Sequence, residues 1–135
     1  VPTDEARSIS IELIDASDDT RLRELLCVCL KTPELTNQFA GCLAPLFEDP
    51  SHEAIETQDR LCRIVASQLR SLVDADIFGS IEKLGRLSAI TDEILMASDV
   101  NPRGLNCQGL HDLLRAEVYL LSKLDQDRAN ILIKS

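Results

Sequence analysis

Residues 51–73 read SHEAIETQDRLCRIVASQLRSLV. Ile55, Leu61, Cys62, Val65, Leu69, Leu72 and Val73 recur with the period of one helical face. Asp49, Pro50 and Ser51 stand immediately before them as a helix-start signal. The stretch is too long and too regular for a strand. As a helix it spans roughly 35 Å, at about 1.5 Å per residue. A single amphipathic rod of that length needs other rods to cover its apolar side, so an all-α fold is expected.

The same period extends in both directions. Leu22, Leu25, Leu26, Cys29 and Leu30 form one stripe, and residues 25–30 are apolar nearly all round, which predicts deep burial. Thr32 as N-cap and Pro33 in the first turn restart the chain. Leu35, Phe39, Cys42, Leu43 and Leu46 follow, and Pro45 is expected to help end that helix. Downstream, Ser80 caps a helix to about Ala97 with Ile81, Leu84, Leu87, Ile94 and Leu95 inward. Residues 99–104 form a loop rich in turn residues. Asn106 caps a last helix carrying Leu110, Leu113, Leu114, Leu121 and Leu124, and Ile131, Leu132 and Ile133 give an apolar end able to dock. Residues 1–16 fit a short helix better than a strand, because no other segment offers a strand partner; they are a candidate peripheral arm.

The chain is a single-domain up-and-down bundle of five or six helices on this reading, with the three later helices as its body. Composition agrees. There are 22 leucines against three Phe, one Tyr and no Trp, and only five Gly and five Pro. Leucine suits helices, and so few turn residues cannot serve the many reversals of an all-β fold. A length of 135 residues fits one domain with a real core. No apolar run is long enough for a membrane span.

Charge limits the partners. The net charge of −9 argues against nucleic acid. Residues 1–20 concentrate Asp4, Glu5, Glu12, Asp15, Asp18 and Asp19 against Arg7 alone, and residues 48–59 hold Glu48, Asp49, Glu53, Glu56 and Asp59 without a base. Carboxylates in a first helical turn also serve the macrodipole, so part of the second cluster has a structural use. The helix beyond changes sign. Arg60, Arg63, Ser67 and Arg70 share a stripe opposite Leu61, Val65 and Leu69. That stripe is a solvated face or a docking strip for an acidic partner, which could be the chain's own N-terminal segment.

No catalytic constellation stands out. His52 and His111 lack the Glu-x-x-His and His-Glu-x-x-His arrangements of helical metal sites. The five glycines build no phosphate loop, and no Gly-x-Ser-x-Gly elbow occurs. Cys27 and Cys29 diverge by about 160° on a helix, so they do not share one ion easily. No cofactor, metal or catalytic residue is therefore expected. The odd count of five cysteines, without a secretory signal, fits reduced thiols in a cytoplasmic protein of bacterial type. The start at Val1 leaves room for a trimmed leader.

Two residues of the last helix break its pattern. Glu117 falls among the leucines on the helical wheel, so it sits at the rim or is paired with Lys83 or an arginine. Tyr119 lies beside Arg115, a pairing frequent at interfaces. The candidate protein-binding residues are thus Asp49, Glu53, Glu56, Arg60, Arg63, Arg70, Arg115 and Tyr119, with Glu117 as a candidate buried charge. The expected function is a non-enzymatic protein–protein interaction or adaptor module, with self-association as one version. The alternatives are an acidic inhibitor, immunity-type or nucleic-acid-mimic protein, and a helical ligand sensor or enzyme.

Overall fold

Each helix whose start is well defined opens on a side-chain cap. A computed structural model describes residues 11–49, 51–76, 79, 81–100 and 108–134. In it α1 runs Ile11–Ala16, α2 Asp19–Cys29, α3 Pro33–Glu48, α4 His52–Ala75, α5 Ile81–Val100 and α6 Gln108–Lys134. Asp18 accepts from Arg21 N at 2.9 Å, Thr32 from Leu35 N at 3.3 Å and Ser51 from Ala54 N at 3.2 Å. These bonds satisfy N–H groups that have no partner inside the helix. Asp49 Oδ1 accepts from Ser51 N at 2.9 Å and folds the chain into the start of α4. The caps expected at Ser80 and Asn106, the 101–104 part of the loop, Cys107 and the acidic residues Asp4 and Glu5 lie outside the described residues, as do the side chains of Glu12, Asp15, His52 and Ile131–Ile133.

The fold is an all-α bundle with no strand among the described residues. Its widest seams join α4 to α6 and α3 to α5, helices two apart in the chain; consecutive helices share less. α2 packs on α3 and α4, and α1 rests on α4. The core draws Leu22, Leu26 and Cys29 from α2, Phe39 and Leu43 from α3, Leu61, Val65 and Leu69 from α4, Leu87, Ile90 and Ile94 from α5, and Leu113, Ala116 and Leu120 from α6.

Several faces turn differently from the expectation. Pro45 does not end α3, which continues to Glu48. Gly41, whose carbonyl loses its donor, and Pro45 are both exposed, so water can replace the bond while Leu46 and Phe47 gain burial. In residues 25–30, Leu26, Cys29 and Leu30 are buried but Cys27 and Val28 face solvent, because α2 has neighbours on one side. Ile55 and Ile81 are exposed. On α6 Gly109, Leu110, Leu113, Ala116 and Leu120 are buried, with Gly109 against α4, while Leu114 and Leu121 are exposed. Small side chains let the two backbones approach: a Cβ on Gly109 would collide with the backbone carbonyl of Asp59.

Candidate functional site

Three consecutive residues of α4 each hold the end of another helix. Successive side chains point about 100° apart, so such a trio reaches three directions. Gln58, buried, donates through Nε2 to Leu46 O at 2.8 Å and Asp49 O at 3.3 Å, at the end of α3. Asp59 Oδ1 accepts from Gly109 N at 2.7 Å, in the first turn of α6. Arg60 donates through Nη1 to Ser17 O at 2.9 Å, just past α1, and lies 3.9 Å from Asp19. Each partner has the sign that the helix end requires: a donor or cation at C-terminal carbonyls, a carboxylate at N-terminal amides. α5 repeats the device, with Arg86 Nη1 donating to Leu30 O at 2.7 Å past α2. None of α1, α2 and α3 has a base in its own last turn, and these tertiary donors do that work.

Arg60 thus turns to the N-terminal segment, the partner within the chain considered for the arginine stripe. Arg63 and Arg70 stay together and meet α6. They line an open polar groove of about 420 Å³ with Ser67, Ser71, Asp74, Asp112 and Arg115, floored by Ala66. Its charges are partly neutralised within the chain. Arg63 Nε is 2.9 Å from Asp59 Oδ2, and Arg115 Nη1 is 3.9 Å from Asp112 Oδ1. The guanidinium of Arg70 lies over the Tyr119 ring at 5.6 Å, with Lys123 Nζ at 5.7 Å. The Tyr119 hydroxyl donates to Asp74. That hydrogen bond holds the phenol above its ordinary pKa, aided by some desolvation and the Asp74 charge, with Arg70 acting the other way. Four residues singled out in the sequence, Arg63, Arg70, Arg115 and Tyr119, therefore gather on one flank of the α4–α6 seam. Asp49, Glu53 and Glu56 sit apart from them around the start of α4.

On the other flank of α6, Glu117 is half-buried at the rim. Its carboxyl is raised from the ordinary value by burial and then by Asp92 of α5. The charge that acts on it is a second carboxylate, not the Lys83 or arginine considered for it. Leu114, Val118 and Leu121 flank Glu117 and are 41%, 63% and 57% exposed; Met96, one turn beyond Asp92 on α5, is 66% exposed. Residues three and four apart are surface neighbours on a helix. Leu114, Val118 and Leu121 are thus one line of apolar side chains, and Glu117 interrupts the patch. The sequence pattern had assigned Leu114 and Leu121 to the core and had singled out neither Val118 nor Met96.

A smaller apolar cleft of about 280 Å³ lies between α1 and α2, with Leu13, Leu25 and Val28 in its wall. Cys29 and Cys62 are buried packing residues. Burial, then the neighbouring Cys42, pushes the Cys29 thiol up to about 12, while Cys27 is exposed. No group of three metal-ligating side chains converges among the described residues. None of their helices is long and apolar enough to cross a membrane. Compared with protein-family models, curated proteins and solved structures, the chain matches none.

Proposed function

We propose that the chain is a non-enzymatic helical interaction module that docks a protein partner on the outer face of α6. The exposed line of Leu114, Val118 and Leu121 on α6 carries this reading. Single exposed apolar residues are ordinary on any surface; an aligned set along one helix marks a place that another surface covers. The polar groove on the opposite flank supplies a charged rim, with Tyr119 and Arg115 of the types enriched at interface anchors.

The acidic-inhibitor reading draws less support. Asp18, Asp49 and Asp59 each commit an oxygen to a backbone N–H group of their own chain. A carboxylate held this way is oriented by the fold rather than toward a basic partner.

Photo-cross-linking tests the docking face. A benzophenone side chain placed at Val118 should give a discrete adduct in cells that naturally make the protein, and one placed at Glu34, exposed on α3, should give none. Equal adducts at both positions, or none at Val118, would reject the reading.

A further inference from the structure

We infer that the polar groove between α4 and α6 is an oxyanion site that seats a phosphate monoester between Arg70 and Arg115. The inference is independent of the apolar line on α6. Both walls are helix, and the α4–α6 seam is the widest in the bundle, so the groove is held by packing on either side. Arg63, Ser67, Arg70, Ser71 and Asp74 share one face of α4, and Asp112 and Arg115 are neighbours on α6. The contacts of Asp59 with Gly109 and of Asp74 with Tyr119 fix the register. The two helices therefore run parallel, and Arg115 enters between those two contacts.

Most charges of the groove are committed, and the exceptions mark the site. Arg63 is paired with Asp59 at 2.9 Å. Asp74 accepts from the Tyr119 hydroxyl, and Asp112 from Gln108 Nε2 at 3.3 Å. Arg70 rests on the Tyr119 ring, and no carboxylate among the described residues pairs with it. Arg115 reaches Asp112 only at 3.9 Å, beyond a hydrogen bond. The exposed hydroxyls of Ser67 and Ser71 line the same groove without a hydrogen-bond partner among the described residues. Two guanidinium groups and two hydroxyls thus face one space with donors to spare.

A carboxylate is satisfied by one guanidinium fork. A phosphate monoester offers three acceptor oxygens and a charge of about −1.5 to −2, enough to bridge two forks and take a hydroxyl as well. The volume of about 420 Å³ leaves room for the group that carries the phosphate. The chain's −9 repels a polyanion such as nucleic acid, whereas salt screens distant charges beyond about 8 Å, so a single phosphoryl group responds chiefly to its contacts.

Nuclear magnetic resonance of the full, isotope-labelled chain at physiological ionic strength tests the site. The probes are N-acetyl phosphoserine amide and glycerol phosphate, with unphosphorylated N-acetyl serine amide and acetate as controls. Both phosphates should shift the Nε–H signals of Arg70 and Arg115 saturably, and the controls should not. Arg70→Gln and Arg115→Gln should each weaken binding about tenfold or more, the factor for one lost charged hydrogen bond. Arg70→Lys keeps the charge without the fork, and its intermediate affinity separates a lost contact from a misfolded variant. Arg23→Gln, exposed on α2, removes the same charge elsewhere and should leave binding unchanged. Tighter binding of the phosphoserine amide would support the site with a phosphorylated protein chain as its source, and tighter binding of glycerol phosphate would support it with a small ester. No saturable shift with either phosphate, an equal response to acetate, or indifference to Arg70→Gln and Arg115→Gln would overturn the proposal.

Discussion

Asp59 Oδ1 accepts the Gly109 backbone N–H at 2.7 Å, fastening the middle of α4 to the first turn of α6. The same carboxylate lies 2.9 Å from Arg63 through its other oxygen. The contact requires close backbones, and the missing side chain at Gly109 permits them. Gly109→Ala must push its Cβ against the Asp59 backbone carbonyl. The intrinsic helical gain of alanine, about 1 kcal/mol, opposes that collision. Overpacking of a rigid neighbour costs about 1–3 kcal/mol. Urea denaturation should therefore show a net loss of stability, and Asp59→Ala should lose about 0.5–2 kcal/mol as a cap does.

Tyr119 is the only tyrosine, and the chain has no tryptophan, so absorbance near the phenolate band reports a single group. Its hydroxyl donates to Asp74, which favours the protonated phenol. The titration midpoint should lie above that of free tyrosine. Asp74→Asn removes the carboxylate acceptor and its charge while leaving Arg70, which favours phenolate. The midpoint should then fall. An unshifted midpoint in the native chain would contradict the contact.

Thiol labelling should separate two cysteines two residues apart. Thiolate is the attacking species, and at about 12 the Cys29 thiol leaves on the order of one molecule in ten thousand ionised at pH 8. Cys27 is exposed on the same helix. Iodoacetamide followed by peptide mass spectrometry should modify Cys27 readily and Cys29 only when the chain unfolds. Comparable rates in the native state would mean that α2 is rotated from the position described.

Glu117 should make stability fall as pH rises. Its folded-state pKa is raised above 4.5 by burial and by Asp92, so the native state binds the proton more tightly than the unfolded chain does. Stability is then lost from about that pH upward through the raised value, as the group ionises. Glu117→Gln removes the titration. Its melting temperature should exceed that of the native chain at neutral pH and approach it below about pH 4, where the glutamate is neutral in both states.

Much of the architecture can be read locally, because helix starts and helical period are local. Thr32 with Pro33 and Asp49 with Ser51 are caps whose partners stand three or fewer residues away. Which way a face points depends on remote neighbours. Leu114 and Leu121 match the helical period as well as Leu113 does, yet they are exposed, and the close approach of α6 to α4 falls at Gly109, whose value is small size rather than hydrophobicity. Gln58 carries no signal, and Asp59 and Arg60 read only as members of an acidic cluster and an arginine stripe, since the partners of the three lie 12, 50 and 43 residues away. Arg63, Arg70 and Arg115 were recognisable as charged surface; their meeting in one groove follows from the α4–α6 seam, which skips α5.

α6 turns one face into the core and leaves another exposed. Paired urea denaturation of Leu113→Ala and Leu121→Ala tests this most directly. Leu113 is 0% exposed and Leu121 is 57% exposed. The account predicts a loss of about 2–5 kcal/mol for the first and about 0.5 kcal/mol or less for the second. Equal, large losses at both positions would place Leu121 inside the bundle and contradict the docking face.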